Sequence, residues 1–513
     1  MGPPVNFSTP INREPATKVG VNYALLFLGC LIFHVVGTWS LPLIDRDEPR
    51  FAEASREMIE RGDYIVPHFN NQLRLDKPPL AYWAQVASYK IFGQNDLAAR
   101  FPSAVAAALV TLLILAWGSR IGGNRVGWWA AIIFTLSLQT FVHAKAAVAD
   151  MWLVLFMTTA HWSAYELVRD RLWPTDQAST LKHQTLFWWF VLYLSLALGF
   201  LAKGPIAWTP LLTLAAMKLL VRDVELAKRC KFVRGILLML AIVALWGVPA
   251  LIQTDGEFLR IGIGRHVVGR SFGAMEGHGA NSLGIYLLLL PFYFVAIFAS
   301  FFPWSIKLPS LTKKLWRSRD KIDIYLITGA AIIFVIFSLI KTKLPHYTLP
   351  AFPLLSLLLA RHLVDHRQFL KRCAIIAASI YLIVALFSAP ATRAFPAAQL
   401  LRQTRDQLRP EMEFGAVDFQ EPSLVWYFRS RIKGWMTPLN SASAGQFMEK
   451  EGARFVILPT PLVPKVFLTP PATWKTFSTS GFNVASPHLR FRLWQWPWLE
   501  AKHIDLTLVL KPE

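Results

Sequence analysis

The chain has 513 residues, 54% of them hydrophobic and 13% aromatic, with only 17% charged and a formal net charge of +21. Soluble chains carry about a quarter charged residues, so the composition argues against an ordinary cytosolic enzyme, a disordered chain and a disulfide scaffold, and for a multi-span membrane protein. Cys30, Cys230 and Cys373 stand far apart without CxxC or Cys/His spacing, which supports neither a disulfide framework nor a zinc site.

The polar stretch Met1 to Gly20 precedes an apolar run of full spanning length with no small-residue cleavage site, which reads as a retained first helix. Runs able to cross a bilayer, about 20 residues each, recur at 21–43, 98–118, 126–142, 147–168, 185–202, 205–221, 233–253, 283–303, 324–340, 346–363 and 372–389. They predict about 11 transmembrane helices, and about 13 if short or split helices are added. The 20 Trp and 36 Phe lie within or beside these runs, as lipid-facing surfaces and interfacial belts require, so the positive charge does not point to nucleic acid.

Lys and Arg accumulate in alternate connections: Arg13 and Lys18, Arg120 and Arg125, Arg169 to Lys182, Arg222 to Arg234, Lys307 to Lys321, and Arg361 to Arg372. The positive-inside rule makes these connections, and the N-terminus, cytoplasmic. The other connections mix basic residues with acids, Pro and aromatics, and form the outer face: a long first loop 44–97, turns at Lys145 and Lys203, a loop 254–282 and the turn 341–346. An odd number of spans also places the residues after 389 outside. There, β-rich runs at Phe455–Leu458, Leu489–Leu493 and Ile504–Leu510 accompany helical patterns at Ser423–Arg429 and Ser443–Lys450. The expected architecture is an all-α polytopic membrane domain, residues 1–389, followed by a small soluble α/β domain, residues 390–513.

The first outer loop is the richest in chemistry. Asp47-Glu48-Pro49 opens a helical pattern with Phe51, Ser55, Met58 and Ile59 on one face, closed by Gly62, which predicts an amphipathic helix at the membrane surface. Asp47 can be a first-turn anion balancing the helix dipole or a carboxylate at the mouth of a membrane cavity. Asp45 and Asp47 form a DxD that leaves a divalent metal as an option, although nothing in the sequence requires a cofactor. Lys77 precedes Pro78-Pro79, and as a lone lysine it reads equally as a snorkelling anchor. Asp150 opens a span, where an ionisable residue is a functional candidate by default, with a helix cap as the alternative. Lys203 and Lys343 sit in tight interfacial turns, and Arg265, His266, Arg270 and His278 share one Gly-rich outer loop.

Asp47, Lys77, Asp150, Lys203, Arg270 and Lys343 come from six connections on one side. Several cations with two carboxylates around one outer cavity suit an anionic lipid headgroup and a group transferred from it.

At these residues the sequence resembles the lipid-carrier-dependent glycosyltransferases of the GT-C class, most closely the aminoarabinose (ArnT-like) transferases that modify lipid A, and more distantly the protein O-mannosyltransferases. The matching pieces are Asp47-Glu48 with Arg50, Ala52-Glu53, Arg56-Glu57-Met58, Gly62-Asp63 and Val66-Pro67; Lys77-Pro78 with Tyr82-Trp83; Val148-Ala149-Asp150; Lys203-Gly204; and Lys343-Leu344-Pro345 with Tyr347. They span residues 40–350. The resemblance implies transfer of a sugar from a polyprenyl phosphate, undecaprenyl phosphate in a bacterium, on the periplasmic face of the inner membrane, by an inverting displacement. It makes Asp47 the catalytic carboxylate and Asp150 its supporting acid. It assigns donor-phosphate binding to Lys77, Arg270, Tyr347 and Arg50, and places Glu48, Tyr82, Lys203 and Lys343 around the cavity. The acceptor would be lipid A, another envelope glycolipid, a glycan or a protein. Phe51, where the lipid A enzymes commonly carry Tyr, and Pro49 after the acidic pair depart from the pattern beside the site, which leaves sugar and acceptor open. A transporter of lipid-linked sugar is the rival class, but it would show broken helices near mid-membrane, whereas these charged motifs cluster at one interface.

Overall fold

The computed structural model describes residues 16–172, 181–221, 229–269, 282–315, 320–488 and 500–513. Among the described residues up to 404, the regular structure is helical apart from a two-stranded hairpin, β1 (His68–Phe69) with β2 (Gln72–Leu73), in the first outer loop. Among the described residues, five helices are long and apolar enough to cross a bilayer: Asp96–Gly122, Thr185–Lys203, Phe232–Gln253, Lys321–Leu339 and Arg367–Leu386. Two further runs that the sequence shows as single apolar stretches are bent. Asn124–Thr135 meets Leu138–Ala144 at 67°, and Leu283–Leu289 meets Phe292–Ser300 at 43°. The first bend follows the extended backbone of Ser137, and the second falls at Pro291, which has no N–H to continue the helical ladder. Asp150–Leu172 is equally long but carries Asp150, His161, Glu166 and Arg169.

Close helix packing explains the small residues. The backbones of Asp96–Gly122 and Asn124–Thr135 approach so tightly that a Cβ on Gly127 would lie 2.5 Å from the Leu115 carbonyl. Apolar side chains exposed on Phe232–Gln253 (Val233, Leu237, Leu245, Ile252) and on Arg367–Leu386 (Ile375, Ile376, Ile383, Val384) form faces suited to lipid.

The predicted first-loop helix is Asp47–Arg61, ended by Gly62 in the left-handed region at φ 67°. Its apolar face is inward as expected, but its charged face is buried as well: Glu53, Arg56 and Glu57 are each at most 2% exposed. The C-terminal part of the chain covers it.

That part contains a five-stranded sheet in the order β4 (Met436–Leu439), β3 (Glu413–Val417), β5 (Arg454–Pro459), β7 (Glu500–Lys511), β6 (Lys475–His488). The three strands at the β4 end are parallel, and β7 runs antiparallel to both β5 and β6. Helices Pro422–Phe428 and Ser441–Glu449 correspond to the two helical patterns in the sequence. The expected strand runs at 455–458 and 504–510 lie in β5 and β7, while Leu489–Leu493 falls outside the described residues. The membrane and C-terminal parts have separate apolar cores, one around Trp117, Phe134 and Phe352, the other around Phe414, Phe428 and Phe455.

The short helix Pro422–Phe428 docks the C-terminal part on the first-loop helix. The Arg56 guanidinium lies 3.9 Å from the centre of the Trp426 ring and donates to the Trp426 carbonyl. Arg429 donates to Glu53 and, at 2.7 Å, to Glu60, stands 3.8 Å from Glu57, and stacks over Trp435 at 3.8 Å. Ser423 donates from its amide at 2.9 Å and its hydroxyl at 2.5 Å to Asp45, while Trp426 and Tyr427 both donate to Asp96.

Removing Arg429 would take a cation from three carboxylates, two of them fully buried, leaving Glu53 with Arg56 and Glu57 with Arg61 and the amides of Asn70 and Asn71. Breaking a buried pair from one side costs about 3 to 5 kcal/mol, so Arg429→Ala is expected to lose that much in denaturant unfolding, with less loss when Glu53→Gln is added. The same contact is pH-sensitive. Desolvation, with Glu421 nearby, pushes the Asp45 carboxyl up from 3.8 to about 7, and desolvation, with Glu53 nearby, pushes Glu57 up from 4.5 to about 7. Both groups bind protons more tightly folded than unfolded. Their contribution is therefore full below their ordinary values and is lost as pH rises through about 7. Melting temperatures in detergent should fall across that window, and Asp45→Asn with Glu57→Gln should flatten the slope.

Candidate active site

One buried ion pair sets the geometry. Glu48 accepts two bonds from Arg100, at 2.8 and 2.7 Å, together with the amides of Ile44 at 2.8 Å and Ala147 at 2.7 Å. Arg100 also donates to the carbonyls of Thr38 and Pro42, each at 2.9 Å. Four segments are thereby tied together: the end of the first helix, the start of the first-loop helix, the helix from Asp96, and the turn before Asp150. Glu48 was expected at the cavity; the structure gives it this clamping role, one residue from Asp47 and anchored three residues before Asp150.

Asp47 is exposed at the first turn of its helix, where the dipole favours an anion. Its charge reaches Arg74 and Tyr82. Arg74 donates to the Tyr82 hydroxyl at 2.8 Å and pairs with Asp76 at 3.4 Å, and Phe51 stacks on Tyr82 with ring centres 5.0 Å apart. Burial works against the Arg74 charge, but Asp76, Tyr82 and Asp47 hold the guanidinium charged; burial pushes the Tyr82 phenol up. Arg74 drew no attention in the sequence because nothing local distinguishes it from a hairpin surface charge.

Asp150 is buried at the start of its helix. Lys203 donates to its Oδ1 at 2.5 Å, and His346 Nε2 lies 3.9 Å from the same oxygen. The Lys203 ammonium is also 5.8 Å from the centre of the Tyr347 ring, so Lys203, Asp150 and Tyr347 form one group. Beside them opens a cavity of about 210 Å³. Asp76, Lys77 and Lys203 line it together with Phe200, Val243, Trp246, Leu251 and Phe258, so charges share a largely apolar space. Lys77 is near enough for its charge to act on His346.

The remaining candidates among the described residues do not line this cavity. Lys343 donates to the carbonyls of Phe337, Ser338 and Ile340, at 3.0, 2.5 and 2.5 Å, and thus caps the helix ending at Leu339. That is a structural use of its three protons where a cavity role was expected. Arg50 is half-buried, and its charge acts on Asp45. Arg270 lies outside the described residues. Asp45, half of the DxD, is held by Ser423 as described above. Among the described residues, a different trio has the composition of a metal ligand set: His143, Asp150 and His346.

Comparisons with known proteins agree with the motifs. A family model described as dolichyl-phosphate-mannose-protein mannosyltransferase matches residues 24–259. The chain is 30% identical over 346 residues to the undecaprenyl phosphate-alpha-4-amino-4-deoxy-L-arabinose arabinosyl transferase of Edwardsiella ictaluri, covering 66% of this chain and 58% of that one. It is 27% identical over 327 residues to an uncharacterized protein of Aquifex aeolicus, covering 64% and 60%. The chain therefore spans about three fifths of the length of these relatives. In structure it is similar to ArnT from Cupriavidus metallidurans bound to undecaprenyl phosphate, with a TM-score of 0.74 and 17% identity over 96% of this chain and 98% of that one. The fold is thus that of ArnT, and the resemblance read from the motifs holds in both sequence and architecture.

The Asp150–Lys203 pair can be tested by a double-mutant cycle. Lys203→Met leaves a buried carboxylate uncompensated and is expected to destabilise the protein by about 3 to 5 kcal/mol. Adding Asp150→Asn should recover most of that loss in denaturant unfolding.

Proposed function

We propose that this chain, built on the ArnT fold, is an integral-membrane glycosyltransferase that moves a sugar from a polyprenyl phosphate carrier to an envelope acceptor. The observation that carries this reading is the cavity itself: an apolar space, bordered by Lys77 and Lys203, beside Asp150 and Tyr347. Such a space suits a ligand that is part hydrocarbon and part phosphate. The relatives named for undecaprenyl phosphate-linked aminoarabinose support the same donor class.

In this reading the apolar wall takes the start of the prenyl chain and the lysines face the phosphate. Polyprenyl phosphate is a good leaving group, so it need not be protonated. Its developing charge is stabilised by Lys77 and Lys203, with Tyr347 as a donor; Arg50 and Arg270 are further cations that the family resemblance alone assigns to it. Asp47 faces the opposite partner. For a hydroxyl acceptor it acts as general base; for a lipid A phosphate, already ionised, it orients the sugar and stabilises its cationic character. A single displacement inverts the anomeric carbon. Asp150, neutralised by Lys203, supports the site without taking a proton.

The same reading takes the protein as a multi-pass component of the bacterial inner membrane with about 11 to 13 crossings. Its N-terminus is cytoplasmic, its catalytic face is periplasmic, and residues 390–513 cover that face. Aminoarabinose and lipid A are the first pair to test; glycan or protein acceptors keep the mechanism and change the acceptor.

The test compares cells lacking the protein with cells complemented by wild type or by Asp47→Asn, using mass spectrometry of lipid A, other envelope glycolipids and surface proteins. A sugar lost in the deletion should return with wild type and not with Asp47→Asn, whose transfer rate is expected to fall by about 10²- to 10⁴-fold if Asp47 is the base. Full activity of Asp47→Asn would remove the role assigned to that carboxylate.

A further inference from the structure

The two histidines beside Asp150 have no part in the mechanism above. His143 ends the short helix Leu138–Ala144, Asp150 begins the next one, and His346 lies in the turn Pro345–Ala351. One ligand atom from each lies within 4.8 Å of the other two, and the imidazole centres are 4.9 Å apart. We propose that His143, Asp150 and His346 form a binding site for a transition-metal ion of the zinc class, and that the ion competes with Lys203 for the Asp150 carboxylate.

The donor set carries the choice of ion. Two imidazoles and one carboxylate match zinc and its borderline neighbours, whereas magnesium and calcium select oxygen ligands. Donors on a tetrahedral zinc shell at about 2.1 Å stand about 3.4 Å from one another. His346 Nε2 and Asp150 Oδ1 are already 3.9 Å apart, so small side-chain rotations close the shell. The Gln139 side-chain amide sits 3.0 Å from His143 Nδ1. Its oxygen, turned toward Nδ1–H, would fix the ring and leave Nε2 for the ion, the usual outer-shell arrangement for a ligating histidine. Lys203 stands at the same carboxylate, and its ammonium holds the oxygen that the ion needs. A dication at that oxygen repels the ammonium and draws on the same lone pairs, so loading the site weakens the hold on Lys203, which also borders the cavity with Lys77. The charge of Lys77, which reaches His346, also opposes loading. Occupancy is therefore set by competition among cations, and this distinguishes the site from adventitious binding to surface histidines.

The test uses the full chain purified in detergent and stripped with chelator, titrated with Co²⁺ while its visible absorption is followed, then with Zn²⁺ in competition. Wild type is expected to bind one Co²⁺ per chain, with a band that Zn²⁺ abolishes. His143→Gln and His346→Gln should each weaken binding on the order of 10- to 100-fold, and Lys203→Met should strengthen it. If one histidine variant elutes or melts as a misfolded protein, the other histidine variant carries the decision on the site. Absence of a stoichiometric band in wild type overturns the site, as does histidine-independent binding. Unchanged affinity in Lys203→Met overturns the competition. Because every readout is metal affinity, the result does not depend on the transferase reading.

Discussion

The Glu48–Arg100 pair is the constraint from which the geometry of the site follows. A fully desolvated carboxylate is tolerable only when its lone pairs are occupied, and here a guanidinium and two backbone amides occupy them. The two amides belong to different segments, one entering the first-loop helix and one leading to Asp150. Satisfying one charge therefore fixes the spacing of two others. This is why Asp47 can be exposed and still held: its neighbour in sequence bears the cost of burial, leaving Asp47 available to a ligand.

The same logic governs the far face of the first-loop helix. Glu53, Arg56 and Glu57 would belong in water on an isolated amphipathic helix. Their burial becomes affordable only because Arg429, Trp426 and Trp435 arrive from more than 360 positions along the chain. The C-terminal part is consequently a wall of the site's scaffold, since withdrawing it would expose a charge cluster arranged around partners that had left. Two of the carboxyls at this contact hold their protons up to about pH 7, so it is tightest when they are neutral.

These dependencies explain what could be read in the sequence. The first-loop helix and its end at Gly62 were legible because apolar spacing and a left-handed glycine are local signals. The helices at 422–428 and 441–449, and the strands at 454–459 and 500–511, were legible for the same reason. The bends at Ser137 and Pro291 were not, because hydropathy averages across a break. Arg74, Arg100 and Arg429 went unremarked since a buried arginine looks like any other until its carboxylate is located, and Glu48 finds its own 52 residues away. Lys343 was legible in hindsight: a lysine four residues past Leu339 is well placed to cap that helix, and its three carbonyl partners are all within six residues. His346 stood in the turn 341–346 already singled out and His143 two residues before the turn at Lys145, but their meeting at Asp150 is a product of tertiary structure.

Convergence of cations on one face is thus weaker evidence than it looks until each is assigned a partner. Lys343 and Lys145 give their protons to helix-end carbonyls, and Arg100 belongs to Glu48. Lys77 and Lys203 border the cavity, and Lys203 is divided between that space and Asp150. An anion entering the cavity draws on the same ammonium that neutralises a buried acid. Binding charge at one end and keeping Asp150 compensated at the other are therefore a single electrostatic problem. Its solution depends on how the Lys203 ammonium is divided between the carboxylate and the cavity.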